Sequence, residues 1–84
     1  MHTVELMDRA LSLAEKMGYE VRHEYLGGSG GGACEVGGRK LLFVDLALNS
    51  LEQFDLVIRT LNEDTALPLV SPPGELQRYL ERAA

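Results

Sequence analysis

Apolar residues near the start of the chain recur every three or four positions. The main members of this stripe are Val4, Met7, Leu11 and Ala14. Such spacing places apolar side chains on one side of a helix, so the sequence predicts an amphipathic helix from Thr3 to Met17. Thr3 suits the N-cap, and Gly18 suits the left-handed conformation that ends many helices.

From Tyr19 to Leu26 the period changes to two, which predicts a half-buried strand. The side expected to be buried carries Tyr19, Val21, His23 and Tyr25. Further along, Gly37-Gly38 separates two segments, Ala33 to Val36 and Arg39 to Val44. Glycine readily supplies the positive φ angles of a two-residue hairpin turn, so we expect these segments to pair.

The hairpin predicts a specific register in which Cys34 lies opposite Leu41. The two faces then carry Cys34, Val36, Leu41 and Phe43 on one side, and Glu35 and Lys40 on the other. If Gly27 to Gly32 forms a second hairpin loop, Tyr25 lies opposite Cys34 and the first strand joins the apolar face. The expected sheet is therefore a three-stranded antiparallel meander whose apolar face is covered by helices.

The sequence after the hairpin predicts elements that can cover the sheet. Because Leu41 to Val44 is apolar on both sides, we expect this strand to be central, or covered on both faces by a terminal helix or a second subunit. Ser50-Leu51-Glu52-Gln53 matches a capping box and predicts a second helix that ends near Asn62 to Asp64. Its apolar stripe comprises Leu51, Phe54, Val57, Ile58 and Leu61.

The C-terminal part contains two further segments. Ala66 to Val70 is apolar but includes Pro68, which favours an edge strand or an extended strap. Ser71-Pro72-Pro73 resembles a helix start and predicts a short final helix through Ala83. The expected fold class is α+β, in one domain over residues 1–84, with the order helix, three strands, helix, short strand or strap, helix.

Composition and charge exclude several kinds of partner. The net charge is −5, and the eight Lys and Arg residues form no cluster longer than Arg39-Lys40, which disfavours nucleic acid. Leu41 to Val44 is the longest fully apolar run, too short to span a membrane, and the segment Met1 to Glu5 lacks the pattern of an export signal. Cys34 is the only cysteine, so we expect no internal disulfide and a cytoplasmic location.

The glycine-rich segment after the first strand is the main candidate for a binding site. The candidate ligand- or partner-binding residues are Gly28, Ser29, Gly30, Gly31, Gly32, Cys34 and Asp45. Bare amide groups in such a segment can form a nest for an anion, although the Lys-Ser or Lys-Thr pair and the following helix of a P-loop are missing. The alternative is a flexible or tightly bent connection between strands.

Cys34, His23 and Asp45 share one face in the expected meander, an arrangement superficially like a Cys-His-Asp hydrolase. In that register His23 lies two residues beyond the partner of Cys34, and Cys34 is expected to be a buried core thiol. Asp45 is expected to make a local turn or cap contact, or to belong to the glycine-rich site. The spacing of the two histidines and Cys34 matches no zinc motif, so we expect no metal site. We also assign no catalytic residue and expect no cofactor.

Three stretches carry a resemblance to known proteins: Leu13 to Arg22, Leu42 to Asp45, and Ser50 to Gln53. Together they resemble small uncharacterised bacterial proteins and, more distantly, the front half of ImmA/IrrE-type zinc-peptidase domains. In those domains a helix, a strand and a hairpin lead into a helix with the motif H-E-x-x-H. Here the corresponding segment, Leu56 to Asn62, has neither histidine nor glutamate. The resemblance therefore implies an α+β order without the peptidase chemistry.

Two functional hypotheses follow from these patterns. The first is a non-catalytic interaction or accessory domain that binds protein and forms a homodimer, because small domains often cover apolar strand faces by association. The second is a small-molecule or anion-binding domain, or a minor enzyme, that uses loop 27–34 together with Asp45. The sequence disfavours nucleic-acid and membrane partners under both hypotheses.

Overall fold

The central strand of the sheet is the last of the three in sequence. The computed structural model describes residues 3–70, 72 and 74–80. Its main elements, in chain order, are helix α1 (Thr3–Lys16), strands β1 (Tyr19–Glu24), β2 (Gly31–Val36) and β3 (Arg39–Asp45), and helix α2 (Ser50–Glu63). The strand order is β1-β3-β2, with β1 parallel and β2 antiparallel to β3. The α+β class is confirmed, but the antiparallel meander is wrong because the sheet is mixed.

The hairpin between β2 and β3 has the predicted register. Cys34 lies opposite Leu41 and Glu35 lies opposite Lys40. The turn residues Gly37 and Gly38 have φ angles of 57° and 80°, values that glycine adopts without a steric cost. Because the turn and its flanking residues are adjacent in sequence, the local pattern was sufficient to predict this pair.

The segment from Tyr25 to Gly30 is not a hairpin loop, since β1 and β2 lie on opposite edges of the sheet. It instead crosses the end of β3. Tyr25 therefore does not lie opposite Cys34, and its side chain is 78% exposed. The physical reason is that β3, apolar on both sides, occupies the centre, whereas β1 and β2 are mostly exposed and suit the edges.

Both helices pack on the sheet face that carries Leu42 and Val44, which are fully buried. The core cluster also includes Leu6, Ala10, Leu13, Ala14, Met17, Phe54, Val57, Leu61, Leu67, Leu76 and Leu80. The opposite face, which carries Cys34, Leu41 and Phe43, is covered by no helix of the described residues. The prediction that helices cover this second face is therefore wrong. The Cα extents of 36 × 34 × 17 Å agree with one sheet and one helical layer.

The helix ends follow local capping chemistry. Gly18 has a φ angle of 99° two residues after the end of α1, and this left-handed conformation is the one that the sequence predicts. The capping box of α2 is shifted by one residue from the prediction, because its cap is Asn49 rather than Ser50. The Asn49 side chain accepts a hydrogen bond from the Glu52 N–H at 2.8 Å, and the Glu52 carboxylate accepts one from the Asn49 N–H at 3.0 Å. The predicted end of α2 is confirmed, with Asp64 as its C-cap.

The C-terminal segment forms two 3₁₀ turns, Leu67–Leu69 and Gly74–Arg78. These replace the predicted strap and final helix, because buried Leu67 and Leu76 anchor short turns against the helices. Within the segment predicted as the final helix, only positions 71, 73 and 81–83 fall outside the described residues. None of the described helices combines the length and the apolar content that crossing a membrane would require.

Candidate functional site

The Asp45 carboxylate holds the crossing segment against the end of β3. Its Oδ1 accepts hydrogen bonds from the N–H groups of Leu26 and Ala47, both at 2.9 Å. Its Oδ2 accepts one from the Gly30 N–H at 3.1 Å. Asp45 has no exposed surface. The glycine-rich segment thus forms a nest of amide groups, and the anion bound in this nest is a side chain of the same protein.

These hydrogen bonds determine the charge state of Asp45. Burial opposes ionisation and acts to raise the pKa, but the N–H groups of Leu26, Ala47, Gly30 and Gly28 favour the charged form. Their combined effect is larger, so the pKa of Asp45 lies below its ordinary value of 3.8. Asp45 is consequently a buried carboxylate that remains charged at neutral pH.

Gly31, the residue after the crossing segment, lies very close to the backbone of β3. Its φ angle is +90°, and a Cβ atom at this position would lie 2.2 Å from the carbonyl oxygen of Phe43. Side chains larger than hydrogen therefore do not fit without a shift of the backbone. The need for glycine at this position is structural, because the neighbouring strand occupies the space that a side chain would fill.

The structure brings together only some of the predicted site residues. Gly28, Gly30 and Asp45 meet at the end of β3. Cys34 lies apart from them, on β2, and is exposed, so the prediction of a buried thiol is wrong. His23 pairs with Val44 on the helix-covered face, while Cys34 pairs with Leu41 on the other face. The same-face arrangement of cysteine, histidine and aspartate is therefore also wrong.

We refer to the sheet face opposite the helices as the open face. Its apolar residues are Cys34, Val36, Leu41 and Phe43, and its charged residues are Glu20, Arg22, Glu24 and Arg39. The Arg39 guanidinium donates to both carboxylate oxygens of Glu20, at 2.6 and 2.7 Å, and this ion pair joins β3 to β1. Val36 is 58% exposed, and the side chains of Leu41 and Phe43 are partly exposed. The face therefore combines an apolar centre with charges of both signs.

A polar cluster that sequence analysis missed lies on the opposite, helix-covered face. The Asp64 carboxylate accepts hydrogen bonds from the Tyr19 hydroxyl at 2.6 Å and the Lys40 ammonium at 2.9 Å. Lys40 also donates to the carbonyl oxygen of Met17 at 3.0 Å and lies 4.3 Å from the centre of the Tyr19 ring. The cluster fastens the C-terminal end of α2 to β1 and β3.

Burial and hydrogen bonding change the pKa values of two members of this cluster, Tyr19 and Asp64. Burial and the hydrogen bond to Asp64 both raise the pKa of Tyr19. Burial acts to raise the pKa of Asp64, but hydrogen bonds from Tyr19, Ala66 and Lys40 outweigh it and lower the pKa. Tyr19 is therefore a neutral donor and Asp64 a charged acceptor at neutral pH, an arrangement suited to holding elements together.

A groove of about 380 Å³ lies between the edge strand β2 and helix α2. Gly31, Gly32 and Ala33 form one wall, and Leu56, Arg59, Thr60 and Glu63 form the other, with Tyr19 and Asp64 at one end. An adjoining space of about 270 Å³ shares Gly31, Leu56 and Arg59 and extends toward Ser29, Glu52 and Asp55. The small side chains of β2 leave this space open beside α2. The ligand-binding role of the glycine-rich segment stays a prediction.

Comparisons with known proteins identify no relative from which a function could be transferred. No family model, curated protein or solved structure is significantly similar to the chain. The resemblance to ImmA/IrrE-type domains thus stays a prediction. Within residues 3–70, 72 and 74–80, no three His, Cys, Asp or Glu side chains are grouped closely enough to hold a metal ion.

Proposed function

We propose that the protein is a non-catalytic interaction domain that forms a homodimer through the open face of its sheet. The observation that carries the proposal is an uncovered apolar centre on a central strand, beside the 58% exposed Val36. A second copy that covers this face removes apolar surface from water, and such burial is the main driving force of association. Contiguous exposed apolar patches on small proteins commonly mark interaction sites.

The charge distribution favours a second copy as the occupant of this face. The chain carries a net charge of −5, so two copies repel one another over most of their surface. The open face instead carries two exposed glutamates, Glu20 and Glu24, and two exposed arginines, Arg22 and Arg39, which sum to zero. Two copies can therefore approach on this face without like-charge repulsion, and Arg22, whose Nε lies 3.8 Å from the Glu24 carboxylate of its own chain, can also reach a glutamate of the other copy.

The proposal is tested by measuring molar mass with light scattering after size-exclusion chromatography over a range of concentrations. We expect the wild type to approach the mass of a dimer, and Leu41→Lys to remain a monomer because it places a charge at the apolar centre. Leu51→Lys is the matched control, since Leu51 is 64% exposed on α2 and the change in charge is identical. We expect this control to dimerise like the wild type.

Two outcomes contradict the proposal: a wild-type monomer at high concentration, or dimerisation of Leu41→Lys equal to that of the wild type. Circular dichroism verifies that each variant is folded. If Leu41→Lys does not fold, Val36→Lys replaces it, because the exposed Val36 side chain contributes little to the core. A folded Val36→Lys variant that dimerises like the wild type also counts against the open face as the interface.

A further inference from the structure

Strand β2 has β3 on one side and no neighbouring strand on the other within the described part of the chain. Its sequence, Gly-Gly-Ala-Cys-Glu-Val, contains one charged residue, Glu35, and neither lysine nor proline. Natural sheets usually protect exposed edges with such residues, because an unpaired edge readily accepts another strand. The edge of β2 is therefore available for pairing.

The hairpin geometry identifies the backbone groups at this edge. Val36 and Arg39 flank a two-residue turn, and such flanking residues form a hydrogen-bonded pair. In antiparallel sheets, hydrogen-bonded and non-hydrogen-bonded pairs alternate, which directs the N–H and C=O groups of Gly31, Ala33 and Glu35 away from β3. The hydrogen bond from the Asp45 N–H to the Gly30 carbonyl, at 3.3 Å, agrees with this alternation.

The free edge lies beside the groove formed with α2. Gly31 and Ala33 line the groove, and their small side chains leave room for a further strand. From these contacts we propose that an extended basic segment of another protein binds here and adds to β2 as a fourth strand. This site is separate from the open face, because it uses the edge of the sheet rather than its surface.

The charges along α2 determine the chemistry of the partner. Glu52, Asp55 and Glu63 line the groove and its extension, whereas Arg59 is their only basic residue. Asp64 is already paired with Lys40. Because side chains alternate along a strand, lysine or arginine at every second position of the partner faces these carboxylates. Pairing with β2 of a second copy is disfavoured, because it brings the acidic side of α2 from both copies together.

The experiment uses an acetylated peptide in which lysine and threonine alternate and whose length matches the 6 residues of β2. Fluorescence anisotropy measures the binding of this peptide to the protein. We expect the double variant Asp55→Lys with Glu63→Lys to bind at least about tenfold more weakly. The matched control is Glu5→Lys with Glu15→Lys on α1, which changes the net charge equally and should leave the affinity unchanged. A second peptide alternates lysine with proline, has the same charge, and should not bind because proline lacks the N–H group of a strand.

Amide hydrogen exchange provides a second measurement. We expect the peptide to protect the N–H groups of Gly31, Ala33 and Glu35 specifically. Equal binding of the proline peptide, or equal weakening by the α1 control, would show general attraction to an acidic protein and overturn the proposal. Protection of the same amides by increasing protein concentration without peptide would identify a second copy as the occupant and also overturn it. Dimerisation through the open face can fail without affecting any of these outcomes.

Discussion

The Asp45 carboxylate and the Gly30 amide, 15 residues apart in sequence, form a hydrogen bond of 3.1 Å that secures the passage of the chain over the central strand. The same carboxylate accepts from Leu26, so both ends of the crossing segment are held by one side chain. A segment rich in glycine loses much conformational entropy when it is ordered. The buried charge of Asp45 offsets part of this cost through hydrogen bonds that a neutral side chain would make less strongly.

Acid should destabilise the protein through this contact. The pKa of Asp45 is lower in the folded state than its ordinary value of 3.8, so its contribution to stability is present above that value. The contribution is lost as pH falls through the lower folded pKa. Urea denaturation at several pH values should therefore show a decrease in stability below about pH 4.

The variant Asp45→Asn should remove this part of the acid dependence. It should also lower the melting temperature at neutral pH by roughly 10 °C, because charge-assisted hydrogen bonds to partly buried amides are lost. Asp55→Asn, at an exposed position, is the control and should melt like the wild type. An Asp45→Asn variant with wild-type stability and wild-type acid dependence would contradict the role assigned to Asp45.

Gly31→Ala should destabilise the fold by about 2 kcal/mol or more, because the added Cβ meets the Phe43 carbonyl and the left-handed backbone is strained. Gly27→Ala provides the comparison, since Gly27 has a φ of +70° and nothing within 4 Å of the added atom. It should cost about 1 kcal/mol, from the backbone conformation alone. Chemical denaturation measures the loss of stability for each variant. Equal losses for Gly31→Ala and Gly27→Ala would show that the contact with the Phe43 carbonyl does not exclude a side chain at Gly31.

Lys40→Met should leave the partly buried Asp64 without its cationic partner. The side chains of Lys40 and Asp64 are 28% and 8% exposed, so water replaces the lost contact only in part. We expect a loss of about 1 to 2 kcal/mol and a rise in the pKa of Asp64, measured by denaturation and NMR titration. Lys16→Met at the exposed end of α1 should cost less than about 0.5 kcal/mol. An unchanged pKa of Asp64 would refute the proposed coupling.

Cys34 should react with a thiol reagent in the native protein, because it is exposed on an edge strand. At low protein concentration we expect one thiol to be modified at a rate near that of the urea-unfolded chain. If the open face forms the dimer interface, the rate should decrease as the protein concentration increases, and Leu41→Lys should abolish this decrease. Reaction only after unfolding would contradict the exposure of Cys34.

The contacts that sequence analysis predicted are local. The Gly37-Gly38 turn fixes the register of β2 and β3 because all the participating residues are neighbours in the chain. The position of β1 depends on contacts about 20 residues apart, and its alternating pattern suits either edge of a sheet equally well. The alternating pattern therefore predicted that β1 exists but not that it pairs with β3.

The local pattern also could not predict which face of the sheet the helices cover. Leu42 and Val44 point to one side of β3 and Leu41 and Phe43 to the other, so both sides are apolar. One signal did exist, because Lys40 shares the side of Leu42 and Val44, and a lysine aligned with a buried face needs an acidic or polar partner. Asp45 was identified as a candidate site residue. Its partners Leu26 and Gly30 could not be predicted, because they reach Asp45 only when the segment between β1 and β2 crosses the end of β3.

The position of β3 in the sheet has a consequence for synthesis of the protein on the ribosome. Both outer strands are made before the strand with which each must pair. Until Arg39–Asp45 emerges from the exit tunnel, the nascent chain carries two strand segments that have no native partner in the sheet. Sheet formation is thus delayed until Asp45 has left the tunnel, and fragments truncated before β3 expose two unpaired segments to chaperones and proteases.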